Sequence, residues 1–123
     1  MKAGADNKLQ VVYTAAPVVE AIGKADVIFF DIETKGLNPY KTGPGFMCGL
    51  GIKPLDGPSF YIPFNHYDFI NDVPYKSAPL SVLNEIFEAC RGKVGVGHNP
   101  KFDAHGILQD GVDVFDVFRI VLC

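Results

Sequence analysis

The order of apolar and polar positions divides the chain into elements. Residues 1–10 are polar and without period, a loose tail, and 11–13 read as a short strand. Thr14 stands as an N-cap for a helix over 15–25, in which Val18, Val19 and Ile22 make one apolar face. Residues 27–32 (VIFFDI) are a continuous β-branched and aromatic run, the pattern of a central strand covered on both faces. Glycine and proline punctuate 34–45, which predicts a loop. Residues 46–53 (FMCGLGIK) and 59–64 are the next two strands, joined by a turn at Asp56-Gly57-Pro58, so the three strands predict an antiparallel meander.

Residues 65–76 have no period and read as a loop. In 78–90 the apolar residues Leu80, Leu83, Ile86 and Phe87 fall at helical spacing, with Ser77 as cap and Pro79 in the first turn. The glycine-punctuated 93–97 (KVGVG) predicts a fourth strand, and 99–109 a helix capped by Asn99 with Pro100 at its first position. Residues 112–115 suggest a fifth, short strand, and Asp116 is placed to cap the closing VFRIVLC. That segment is expected either to pack fully against the sheet or to be followed by more chain.

Length and composition narrow the class. The 123 residues are 48% hydrophobic and 20% charged, which suits one domain with its own core. No apolar run approaches the ~20 residues of a membrane span, and the opening MKAGADNKLQ lacks an apolar segment, so neither a span nor a secretory leader is expected. Eleven basic against fourteen acidic residues, net −3, exclude a generically basic nucleic-acid binder. They do not exclude an enzyme that meets phosphate through a metal ion. Cys48, Cys90 and Cys123 are odd in number and form no CxxC, against a zinc site or a disulfide framework. Buried, reduced thiols in a cytoplasmic setting are the expectation.

The chemistry concentrates at two strand ends. Asp31 and Glu33 close the most apolar strand, and side chains two apart on a strand share a face. Two such carboxylates repel each other, and their natural counter-ion is a divalent cation; the plainer alternative is a solvated strand end. Asn99 and Asp103, in GHNPKFD, are four apart and share one face of the helix they begin. Alone they read as a cap and an exposed helical Asp. If strands 27–32 and 93–97 are adjacent, Asp103 can approach Asp31 and Glu33 from the side. Three such oxygens suit Mg²⁺ or Mn²⁺, not zinc. Two ions roughly 3.5–4 Å apart clamp a phosphodiester, one activating water and the other stabilising the leaving oxygen.

FFDIETKGLNP followed by GHNPKFDAHGIL, with an apolar helix between, resembles the DnaQ-like (DEDD) 3′–5′ exonucleases. Together with FYIPFNH and VFDVFRIVL it is most similar to the proofreading domain of family A, DNA polymerase I-like enzymes, over residues 11–123. The resemblance implies an α/β, RNase H-like mixed sheet, three antiparallel strands then parallel ones, flanked by helices and C-terminally truncated. It implies Asp31, Glu33 and Asp103 as metal carboxylates binding two Mg²⁺ or Mn²⁺ ions. Thr34 would lie under the terminal nucleotide, Leu37 would wedge against its base, and Asn99 would position the scissile end. The implied partners are a single-stranded DNA 3′ end and a polymerase domain or complementary polypeptide, with self-association through the apolar C-terminus as a further expectation.

The family's third motif, Tyr-x3-Asp or His-x4-Asp with a fourth carboxylate and a general base, has no match after Asp116. The chain alone is therefore expected to be weakly active or inactive. His105 and Asp110 have the His-x4-Asp spacing, but Asp103 and Asp110 on one helix would stand about 10.5 Å apart at ~1.5 Å per residue. His105 reads instead as a surface or packing residue, Asp113 and Asp116 as structural, and His66 as an exposed loop histidine. His98 reads as a packing or hydrogen-bonding group at the strand end. Gly95-Val96-Gly97 lacks the third glycine of a dinucleotide fingerprint. Tyr67, Phe69 and Tyr75 could stack on bases, but in an unperiodic loop they read as local packing.

Overall fold

The computed structural model describes residues 8–35, 43–68 and 70–123. Strand β1 (Leu9–Val11) leads into helix α1 (Ala16–Gly23), then strands β2 (Val27–Thr34), β3 (Met47–Pro54) and β4 (Ser59–Pro63). A small two-stranded ribbon, β5 (Tyr67–Asp68) with β6 (Val73–Pro74), precedes helix α2 (Leu80–Ala89). Strand β7 (Val94–Val96), helix α3 (Pro100–Leu108), the short helix α4 (Val114–Val117) and strand β8 (Ile120–Leu122) complete the order.

Six strands form one mixed sheet in the order β1-β4-β3-β2-β7-β8. The predicted meander is present: β2 pairs antiparallel with β3, and β3 with β4. Strand β7 lies parallel to β2 and β8 parallel to β7, so the two motif-bearing strands are neighbours. This is the RNase H-like α/β arrangement that the sequence implied. The short strand expected at 11–13 is found at Leu9–Val11, so residues 9 and 10 belong to the sheet and not to a loose tail, and it pairs parallel with β4; a three-residue edge strand is too short for its bounds to show as a period.

The core lies on one side of the sheet. Ile28, Phe30 and Ile32 of β2, with Leu50, Ile52, Phe60 and Ile62, pack against Val18 and Ile22 of α1, Val82, Leu83, Ile86 and Phe87 of α2, and Ile107 of α3. The Phe30 ring stacks on Phe118 at 5.5 Å and meets Phe87 edge-on at 6.3 Å. Burying such side chains drives the assembly, at roughly 1.5–3 kcal/mol each. Gly95 lets the Phe118 ring lie directly on β7, since a Cβ there would fall 2.7 Å from it. Gly106 likewise admits Ile32 against α3.

Strand β2 is not covered on both faces, as its continuous apolar run suggested. It alternates, with Ile28, Phe30 and Ile32 buried and Phe29, Asp31 and Glu33 exposed. The strand register carries this second face outward through Val94 and Val96 to Ile120 and Leu122, and on the other side to Leu9 and Val11. Leu9, Val11, Ile120 and Leu122 are about half exposed, so the closing segment forms an open edge strand and does not pack fully.

Other local expectations are corrected. Residues 112–115 do not form a strand; 114 onward turns into α4, where the Asp113 carboxylate accepts from the Phe115 N–H and Val114 and Val117 enter the core. The cap is thus Asp113, and Asp116 faces Arg91 at 3.8 Å. Thr14 does not cap α1, whose cap position is Ala15, and Ser77 does not cap α2. Ser77 accepts from the His66 N–H at 2.9 Å instead, because Pro79 takes the extended conformation that starts α2. The loop 65–76 contains the β5–β6 ribbon, with the Tyr67 hydroxyl donating to Asp72 at 2.7 Å. Tyr75 is exposed, and Phe69 lies outside the described residues. The cysteines are free, but only Cys90 is buried; Cys48 is half-buried and Cys123 exposed. Among the described residues, no helix is long and apolar enough to cross a membrane.

Candidate active site

The last residue pair of the β2–β7 ladder is Phe29 with Val96. Strand β2 runs on alone on that side for another turn of the pleat, and Asp31 and Glu33 lie on this extension. Chain leaving β7 turns through Gly97, His98 and Asn99 into α3, which packs against the extension with Gly106 beside Ile32. Pro100 fixes the helical start, and the Asn99 carbonyl accepts from the Asp103 N–H at 3.1 Å. Asn99 occupies the cap position, but its side chain makes no capping hydrogen bond and is solvent-exposed.

Asp103 is thereby carried inward. It is 3% exposed, the one buried charged residue among those described, and its Oδ2 has no hydrogen-bond partner there. A buried carboxylate without a partner is expensive to ionise. Burial, and secondarily the charge of Asp31, push its pKa up to about 7. The helix N-terminus works in the opposite direction but does not offset desolvation.

The structure therefore brings Asp31 and Asp103 together. Glu33 shares the exposed face of β2 with Asp31, but its charge acts on other groups, raising the Cys48 thiol and the Tyr61 phenol after the larger effect of burial. Among the described residues, no three His, Cys, Asp or Glu side chains stand close enough to make a ready-formed metal site. Asp31 and Asp103 are thus electrostatically coupled, and Glu33 lies two residues along the same face of β2 as Asp31. The β2–β3 register slips between Glu33 and Thr34, where Cys48 of β3 is the extra residue.

Thr34 ends β2 beyond the slip and is half-buried. Leu37 lies outside the described residues. Asp110 is not a ligand candidate, because its two oxygens accept from the Gly45 N–H at 3.1 Å and the Asn65 amide at 3.4 Å. His98 is exposed rather than packed, and it lines a 520 Å³ groove with Asp31, Phe29 and Lys53 on the open sheet face.

The donor set fits a hard divalent cation. Asp31 and the orphaned Asp103 Oδ2 offer two carboxylates whose mutual repulsion a cation would relieve, with Glu33 two residues along the same face.

Sequence reasoning missed the surroundings of Glu33. Gly49 lies opposite Glu33, and Gly51 opposite Asp31. Tyr61 lies over Gly49, with its hydroxyl 3.3 Å from His66 Nε2. His66 is accordingly half-buried and partnered, not an exposed loop residue. The available signal was the alternate glycines of FMCGLGIK, which clear the floor beside an alternating acidic strand.

No family model matches the chain, and no curated protein does. Solved structures match over most of its length. Brucella melitensis NrnC, in a structure with bound Mg²⁺, aligns with a TM-score of 0.58 at 20% identity, covering 93% of this chain and 47% of that one. The EXD2 exonuclease domain, soaked in Mg and dGMP, aligns with a TM-score of 0.56 at 19% identity, covering 92% and 55%. A further EXD2 structure, soaked in Mn and GMP, aligns with a TM-score of 0.54 at 16% identity. The chain thus spans about half the length of the solved structures it matches. At these identities the likeness establishes the fold alone, an RNase H-like mixed α/β sheet.

Proposed function

We propose that the chain is a 3′–5′ exonuclease module, dependent on Mg²⁺ or Mn²⁺, that hydrolyses the terminal phosphodiester of single-stranded DNA in the manner of a proofreading domain beside a polymerase. The observation that carries this reading is the buried Asp103 carboxyl, its Oδ2 without a hydrogen-bond partner among the described residues, within electrostatic reach of Asp31 on β2. The NrnC structure with Mg²⁺ and the EXD2 structures soaked in Mg or Mn with nucleotides support it.

In this reading Asp31 and Asp103 hold the cation, and Glu33 completes the acidic face. A divalent ion bound there would stabilise charge on the phosphate and supply a nucleophile at neutral pH. Thr34 meets the terminal nucleotide at the strand end, Leu37 wedges against its base, and exposed Asn99 positions the scissile end. The burial that raises Asp103 also excludes water from one side of the pair, which strengthens any electrostatic contact made there. Asp110, Asp113 and Asp116 are engaged elsewhere and do not supply a fourth carboxylate. Activity of the 123-residue chain alone is therefore expected to be weak. The test is cleavage of a 3′-single-stranded oligonucleotide with Mg²⁺ or Mn²⁺, in which exonucleolytic product should vanish in Asp31→Ala. Robust cleavage that persists in that variant refutes the assignment.

The open sheet face favours a second reading, a non-catalytic exonuclease-like fragment that docks a partner chain such as the remainder of a polymerase. Phe29, Ile120, Leu122 and Leu9 leave apolar surface there around the 520 Å³ groove. Light scattering separates the two: a clean monomer lacking nuclease activity leaves the docking idea unsupported, and concentration-dependent self-association favours it.

A further inference from the structure

We propose that Tyr61, held by His66, is the positioning residue for Glu33; the inference rests on the metal-site reading above and adds to it a tyrosine–histidine pair from a different strand and loop. Three pieces of geometry carry it. First, Glu33 and Gly49 are direct partners across the β2–β3 ladder. Second, Tyr61 of β4, paired with Gly51, leans diagonally so that its hydroxyl and outer ring occupy the place a Cβ of residue 49 would take. Aromatic side chains reach such diagonal neighbours readily. Directly opposed residues have Cβ atoms about 4.5–5.5 Å apart, so the Tyr61 hydroxyl, beside that place, lies within roughly 7 Å of the Glu33 Cβ, a span that an extended glutamate side chain can close to hydrogen-bond distance.

Third, the hydroxyl is fixed from behind. His66 Nε2 lies 3.3 Å from it, and His66 is itself anchored by its N–H on Ser77 Oγ at 2.9 Å. A phenol has one proton and can also accept. With His66 Nε2–H donating to the Tyr61 oxygen, the phenolic proton remains to be donated to the Glu33 carboxylate. The arrangement requires a glycine at 49, where any side chain would collide with Tyr61. Outer groups that orient a metal carboxylate commonly contribute about ten- to a hundred-fold in metal affinity, which sets the size of effect to look for.

The experiment is Mn²⁺ titration of the full 123-residue chain, read by electron paramagnetic resonance, with thermal melts in EDTA in parallel. Tyr61→Phe should weaken Mn²⁺ binding about ten-fold or more while leaving the melt of the metal-free protein within a few degrees of wild type. His66→Ala should weaken it in the same direction, His66→Gln should restore part of the loss, and Tyr61→Phe with His66→Ala should cost no more than Tyr61→Phe alone. Asp31→Asn is the control for the site itself. If wild type binds Mn²⁺ in an Asp31-dependent manner and Tyr61→Phe binds it equally tightly, the positioning role is overturned while the metal site stands. If wild type shows no saturable Mn²⁺ binding, the metal site falls and the positioning role falls with it.

Discussion

Asp103→Asn isolates the cost of the buried carboxylate. The unfolded chain should titrate this group at about 3.9, whereas burial and Asp31 raise it to about 7 in the folded protein. Between those values the folded protein keeps a proton that the unfolded chain has released. Stability therefore falls as pH rises through the window, and the full cost is present above the folded value. Roughly three pKa units correspond to about 4 kcal/mol at ~1.36 kcal/mol each, a large share of the ~5–15 kcal/mol that holds a domain together. The substituted asparagine has the same shape as the aspartate and no proton to lose. Urea unfolding followed by circular dichroism in EDTA, from about pH 4.5 to 8, should show the two proteins converging at the acid end. At the alkaline end the variant should be more stable by up to about 4 kcal/mol. Titrating groups other than the coupled Asp31 act on both proteins alike, so the difference curve belongs to residue 103 and its interaction with Asp31. Mn²⁺ at the alkaline end should restore the wild type and leave the variant unchanged. Parallel curves across the whole window would refute the claim that burial holds the Asp103 carboxyl well above the usual range at the start of α3.

Further outcomes follow from the same geometry. Asp31→Asn should retain most of the pH-dependent slope, because burial outweighs Asp31 in raising Asp103; loss of the slope in the same urea series would mean that charge repulsion dominates. Gly95→Ala should destabilise by about 1–3 kcal/mol through overpacking against the Phe118 ring, measured by denaturant midpoint. Phe30→Ala should cost about 3–5 kcal/mol, since that ring joins both Phe87 and Phe118, and a smaller loss would show that the pocket collapses around the truncation. Thiol titration with a disulfide reagent in mildly alkaline buffer should find exposed Cys123 reacting first. Cys90, buried and pushed up to about 12, should react only on unfolding.

Much of this was legible in the residues themselves, where local pattern and tertiary environment agree. The β-branched run ending in Asp31 and Glu33 is long enough to identify β2, and Asn99-Pro100 identifies the start of α3. Their adjacency stayed a condition in the sequence, and the parallel pairing of β7 with β2 supplies it. Phe29 makes β2 look covered on both sides, because an apolar residue on an open face reads the same in a sequence as one in a core. Thr14 and Ser77 are reasonable caps by type, but cap formation depends on backbone angles that the following proline or alanine set. Residues 112–115 are β-branched and aromatic in a stretch too short for period to decide between strand and helix. The Tyr61–Gly49–Glu33 arrangement was out of reach for a different reason: it depends on the registers of two ladders at once, and neither is written in any local stretch.

The short ladder between β2 and β7, from Val27–Val94 to Phe29–Val96, has a kinetic consequence. Asp31 and Glu33 come with the β2–β3–β4 meander, whose contacts are local and inexpensive to close. Asp103 arrives only when β7 docks after a long excursion of chain, a step that carries the greater loop-closure entropy. The acidic pair is thus expected to assemble late in folding, with low φ-values for substitutions in β7 as the check. In the native state the same short seam is where partial opening would separate the carboxylates while the meander stays intact, so amide hydrogens of β7 should exchange ahead of those of β3.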